Sequence, residues 1–290
     1  MEFQDAECPN CGGSLQLPDS LKTAKCIYCG SDITVRDAIN AAGVSPENLL
    51  KRAAFAAEAG NYQEAYDYFT RVLEYEPRNH VALLGKAEAA ARLSPPSRFR
   101  AEELIRGVAE AVASAPAGSK GNVERRAAEM ICSVCSAYAE SLAPVAEPGD
   151  TIQRVAPVLD CLEAARNYVP YHPQVLESLV AGYRTLRWAA EANKATNERL
   201  AIVRHVRTAP SVTASLNNLI AQCHRKRDEH LSTLNRVAPE RAALQMEGER
   251  KVEEQIRKNR VGGCAKAWGC WITIGLTLLL ALAALFSVPA

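Results

Sequence analysis

The sequence has no surplus of either charge: 34 Lys and Arg stand against 33 Asp and Glu. No chain-wide positive field exists to collect phosphate backbones or acidic substrates, so nucleic acid is not the expected partner. There is no glycine-rich phosphate loop, no nucleophile elbow and no H-E-x-x-H, and the five histidines, His80, His172, His205, His224 and His230, are dispersed. Enzymatic activity is therefore not expected. The first residues, MEFQDAECPN, lack the basic-then-apolar order of a secretory signal. Everything before the C-terminal apolar segment is accordingly expected on the reducing side of a membrane, where ten cysteines read as thiols or metal ligands and not as a disulfide framework. What is present is a chain of 290 residues, 48% hydrophobic, which is ample for a folded core.

The strongest chemical signal is Cys8-Pro-Asn-Cys11-Gly-Gly, then fourteen residues between Cys11 and Cys26, then Cys26-Ile-Tyr-Cys29-Gly. Two residues between cysteines let both sulfurs of a turn face one ion, and the following glycines tolerate the backbone that aims amide N–H groups at thiolates. The pieces between read as short strands, Ser14–Leu17, Thr23–Lys25 and Asp32–Val35. On these residues the segment resembles a zinc ribbon, which implies one structural Zn2+ held by Cys8, Cys11, Cys26 and Cys29. A rubredoxin-like iron site uses the same knuckles. So small a domain buries too little to fold alone, and metal binding is expected to supply most of its folding free energy, of order ~10 kcal/mol. Glu2, Asp5, Glu7, Asp19, Asp32 and Asp37 face only Lys22, Lys25 and Arg36 across residues 1–37, so phosphate is repelled and a protein-contacting or structural cap is expected.

After Gly43–Pro46 the apolar period becomes helical. Within Leu49–Asn79, Ala65, Phe69 and Pro77 match the second half of the tetratricopeptide repeat, in which a small residue lets two helices approach, an aromatic fills their groove and proline ends the second helix. Leu49, Arg52, Ala53 and Ala56 depart from the first half. The apolar pair eight and five residues before the proline recurs as Val108 and Ala111 before Pro116, and as Leu162 and Ala165 before Pro170; before Pro210 it is Ile202 and His205. First helices of following pairs are expected at Val81–Leu93, Val123–Leu142, Val175–Trp188 and Val212–His224. The resemblance implies an α-solenoid whose inner face holds a protein segment, through Leu50, Ala54, Ala57 and Glu58 in one repeat and Leu84, Glu88 and Arg92 in the next. A compact helical bundle without a groove is the alternative. Cys132-Ser-Val-Cys135 has the spacing of a redox pair but lies in a helical run without a glycine turn; with Cys161 and Cys223 it reads as buried thiols.

Ala267–Val288 carries no charge, and its length suits a hydrocarbon core of roughly 30 Å. Trp268 and Trp271 stand at the near boundary, and Arg257, Lys258, Arg260 and Lys266 precede it. These features predict a tail-anchored, single-pass membrane protein with its N-terminal bulk cytoplasmic and its C-terminus across the bilayer. Pro239–Arg260 reads as an exposed charged helix. The expected organisation is thus mainly α: a zinc ribbon over 1–40, a tetratricopeptide-like helical repeat domain over 46–235, a charged helical stalk over 236–266 and a transmembrane helix over 267–288. The expected function is a membrane-tethered protein–protein interaction scaffold or adaptor; the alternative is a nucleic-acid or translation-associated factor using the ribbon.

Overall fold

The computed structural model describes residues 3–18, 21–42, 45–142, 148–203 and 209–261. They are mainly helical, with two β-hairpins at the N-terminal end. The chain divides into two units, one of residues 1–90 with 109–115, the other of 91–108 with 116–290.

In the first unit, β1 (Phe3–Glu7) pairs antiparallel with β2 (Ser14–Pro18), from Phe3 opposite Pro18 to Glu7 opposite Ser14. A second hairpin joins β3 (Thr23–Lys25) to β4 (Asp32–Thr34) with Ala24 opposite Ile33. Side chains alternate across a strand. In β2 this buries Leu15 and Leu17 and leaves Ser14 and Gln16 in water. With Ala6, Ile33, Val35 and Ala38 they form a small core that includes Cys8 and Cys26. Helix α1 (Val35–Ala42) packs on β1 and β4, and its first turn is capped by Thr34, whose Oγ1 accepts from the Asp37 N–H at 3.1 Å.

Helix α2 (Pro46–Glu58) begins where Ser45 Oγ accepts from the Asn48 N–H at 3.3 Å and Pro46 takes the first turn. It stops at Gly60, whose φ of +79° is the left-handed conformation glycine adopts without strain. Leu49, Ala53 and Ala56 repeat at helical spacing and meet Ala65, Phe69 and Val72 of α3 (Tyr62–Tyr75), with Ala82 and Ala89 of α4 (His80–Arg92) closing the core. Phe69 lies against Gly85 so closely that a Cβ there would stand 2.2 Å from its ring. Valine at Gly85 cannot be seated without moving that ring; we expect Gly85→Val to destabilise these helices by about 1–3 kcal/mol. Hydrogen exchange of α2–α4 amides checks it, and unchanged protection would contradict the packing.

Helix α5 (Ala101–Ser114) carries Leu104, Val108 and Ala111 as buried positions. In the second unit α6 (Lys120–Leu142), α7 (Pro148–Tyr168), α8 (Pro173–Val203), α9 (Pro210–Val237) and α10 (Pro239–Val261) each pack on the next. α8 also reaches α6 and α10. Pro77, Pro116 and Pro170 fall between helices, while Pro210 opens α9, where its missing N–H and fixed φ cost nothing. α8 runs well past Trp188 because nothing from Ala189 to Val203 is Gly or Pro and Ala189, Ala190 and Ala192 continue the buried face.

The expected transmembrane helix and single-pass placement are corrected: among the described residues no helix is long and apolar enough to cross a membrane. The long helices carry charge throughout, as with Arg184, Arg187, Glu191, Lys194, Glu198 and Arg199 in α8. The expected span over 267–288, with Trp268, Trp271 and Lys266, lies outside the described residues. Arg257, Lys258 and Arg260 belong to the backbone of α10. That helix is not a free stalk, since Ala242, Glu249 and Val252 are buried.

Candidate metal centre and partner face

Each hairpin ends in the same turn. After β1, the Cys8 N–H donates to Gly13 O at 2.9 Å and the Gly12 N–H to Cys8 O at 2.8 Å; after β3, the Cys26 N–H donates to Ser31 O at 2.9 Å and the Gly30 N–H to Cys26 O at 2.9 Å. Gly12 and Gly30 have φ of +70° and +73°, the conformation the glycines were expected to supply. The paired turns bring Cys8, Cys11, Cys26 and Cys29 together with all four sulfurs within 4.8 Å of one another. Cys8 and Cys26 are buried, Cys11 and Cys29 exposed.

The arrangement fits an ion. Sulfurs of Cys8 and Cys29, and of Cys11 and Cys26, lie 3.7 Å apart, far outside bonding distance. A tetrahedron with metal–sulfur bonds of ~2.3 Å has edges of about 3.8 Å. Backbone groups point at the sulfurs: the Cys26 thiol is lowered by the Cys29 and Tyr28 N–H groups, the latter 3.4 Å away. Cys29 is lowered to about 6, chiefly by the Ser31 hydroxyl at 3.3 Å and then by its N–H. Cys11 is lowered by the Gly13 backbone but raised more by the Cys29 sulfur, by loss of hydration and by the sulfurs of Cys8 and Cys26 together, ending at about 12. Thiolates so close together repel, and a dication among them would offset part of that charge. In its donors and its geometry the cluster could hold a metal ion.

The positions expected to hold a partner separate. Ala54 and Glu58 are exposed on α2, Leu50 and Ala57 are half-buried against the α2–α4 core, and Leu84 is buried and closed to a ligand. Glu88 is half-buried, and Arg92 Nη2 donates to Ser133 Oγ at 2.9 Å. Beside Ala54 and Glu58 stands Phe55, 75% exposed, which the repeat resemblance does not single out. Its signal is the pattern itself, since burying 49, 53 and 56 turns 55 outward.

Sequence reasoning also passed over a polar network in the second unit. His230 of α9 is buried, with Nε2 3.0 Å from Glu163 Oε1 of α7, and the Tyr183 hydroxyl of α8 donates to the same oxygen at 2.8 Å. Lys226 Nζ lies 3.4 Å from Glu163, and Arg166 Nη1 donates to Glu229 at 3.1 Å. Burial opposes the Glu163 charge, but His230, Tyr183 and Lys226 together hold its carboxyl down at about 2. The run Arg225–Glu229 is therefore only partly solvated: Arg227 Nη1 donates to Glu249 at 2.6 Å. The helical thiols Cys132, Cys135, Cys161 and Cys223 are buried, and burial pushes Cys132 up to about 12 and Cys223 to about 11.

Compared with family models, curated proteins and solved structures, the chain shows no match.

Proposed function

We propose that this chain is a non-enzymatic protein–protein interaction scaffold, in which the N-terminal ribbon holds one structural Zn2+ and the helical body, with α2 and α3 as a tetratricopeptide-like pair, binds a segment of a partner protein. Four sulfurs in a closed tetrahedron are the donor set of structural zinc, leaving no open position for a substrate or water. The observation that best supports the binding role is the open face of α2, where Ala54, Phe55 and Glu58 are exposed and Phe55 stands 75% in water. An aromatic ring flanked by a small side chain is the form an interface anchor takes, because the ring offers area and the alanine lets a partner backbone approach.

The test is cross-linking of the full chain in cells beside the variants Phe55→Arg and Ala54→Arg. Both positions are exposed, so the fold persists while specific neighbours are lost. Identical neighbour sets for wild type and both variants would remove α2 from the binding role.

A further inference from the structure

α10 lies on α8 and α9 through an Arg241–Glu177 pair at 3.3 Å, the apolar contact of Ala242 with Leu176 and Leu234, and a stripe of polar side chains beyond them. Gln245, Glu249 and Glu253 are four residues apart and meet three arginines. Arg187 Nη2 donates to Glu249 at 3.2 Å and to Glu253 at 3.0 Å, and Arg227 Nη1 donates to Glu249 at 2.6 Å. Arg184 Nη1 donates to the Gln245 carbonyl oxygen at 3.2 Å and Nη2 to its Oε1 at 3.5 Å. The Trp188 ring lies 5.5 Å and 5.7 Å from the guanidinium carbons of Arg184 and Arg187. The apolar share of the contact is small: Ala242 and Val252 are the buried apolar side chains of α10 among the described residues.

The fit is incomplete at one place. Arg184 is 1% exposed, yet its hydrogen bonds go to the Gln245 carbonyl and amide oxygens while Glu249 and Glu253 act on it only through space, and its Nε has no partner among the described residues. A buried cation hydrogen-bonded only to neutral oxygens is less favourable than one paired directly, and a carboxylate at the 245 position would supply that pairing. The outer side of α10 is already suited to water, with Arg250 paired to Glu247 at 2.9 Å and to Glu254 at 2.7 Å, and Lys251 to Glu247 at 3.4 Å. Ala238 alone stands between α9 and α10.

We propose that the face carrying Arg184, Arg187, Trp188 and Arg227 is a receptor surface for an acidic amphipathic helix, that α10 is its internal and sub-optimal occupant, and that a partner helix bearing carboxylates at the three stripe positions displaces it. The proposal rests on the reading of the helical body as protein-binding but assigns a second binding surface to the second unit. Three carboxylates four residues apart fall on one side of a helix and match the three guanidinium groups. Displacement then depends on salt, because both the leaving and the arriving helix are held by charge.

The experiment uses the full chain and a fluorescent synthetic peptide of residues 239–261 carrying Gln245→Glu, followed by anisotropy and by hydrogen exchange of α10. Saturable one-to-one binding is expected, with loss of α10 protection and affinity falling at least about tenfold between about 50 mM and about 300 mM salt. The peptide with Gln at 245 binds about tenfold more weakly. Full chain carrying Arg187→Glu loses binding, and full chain carrying Gln245→Glu, whose own α10 is strengthened, binds the peptide more weakly than wild type. Absence of saturable binding, binding without loss of α10 protection, or equal affinity for wild type and the Gln245→Glu chain overturns the proposal. If the peptide fails while Phe55→Arg still removes cellular neighbours, this surface is refuted and the broader reading stands.

Discussion

Replacing Cys26 and Cys29 together by Ser removes the bound ion and unfolds residues 3–42, while the helices from α2 onward keep their helical signal. The ribbon's own core is six apolar side chains plus two of the sulfurs, Cys8 and Cys26. That is too little to offset the chain entropy of some forty residues. Metal binding is worth ~10 kcal/mol in domains of this size, so its loss exceeds anything the two hairpins and α1 supply. The ribbon and the α2–α4 helices have separate clusters of buried residues, which is why the damage stays local. A chelator acting on the wild-type chain gives the same pattern, read as loss of hydrogen-exchange protection in β1–β4 alone. Full protection of β1–β4 after metal removal would show that the hairpins stand without it.

The second large effect is expected from Glu163→Ala. Its carboxylate is the common acceptor for the Tyr183 hydroxyl at 2.8 Å, His230 Nε2 at 3.0 Å and Lys226 Nζ at 3.4 Å. Removing it leaves the His230 ring, which is 1% exposed, and the Tyr183 hydroxyl without their partner between three helices. Breaking such a part-buried network from one side costs about 1–3 kcal/mol, because the His230 ring and the Tyr183 hydroxyl lose their acceptor. Thermal or urea unfolding of α7–α9 measures this; a change below about 1 kcal/mol would mean that water replaces the carboxylate. The same residue gives a pH dependence. Its carboxyl is held below the ordinary 4.5, at about 2, so its contribution is complete above about pH 4.5 and is lost as pH falls through about 2. Glu163→Ala should flatten that stretch of the stability profile.

The four-cysteine cluster was legible because its constraint is local: two Cys-x-x-Cys turns, each followed by glycine, specify the sulfurs, and Gly12 and Gly30 adopt the conformation those turns require. A helix start was legible where punctuation is strong, as at Ser45-Pro46, whereas Pro210, read as the end of a repeat, opens α9. β1 was not, since Phe3–Glu7 has little alternation and gains its structure from pairing with β2. The polar clusters were hidden for a different reason. Glu163 and His230 are 67 residues apart, as Arg184 and Gln245 are 61 apart, and only the packing of α7–α10 joins them. Spacing on a single helix gives part of the signal, in that Cys223, His230 and Leu234 share a buried face of α9. The nearly neutral charge balance concealed the rest, because paired and solvated charges look alike in a composition. The apolar run over 267–288 lies outside the described residues, and among those described no helix is long and apolar enough to cross a membrane.

Metal analysis of the purified full chain with X-ray absorption at the zinc edge tests the central claim most directly. One zinc per chain with four sulfur neighbours at ~2.3 Å is the expected result. A chain free of zinc that keeps β1–β4 protected, or zinc bound by nitrogen and oxygen in place of Cys8, Cys11, Cys26 and Cys29, would contradict it.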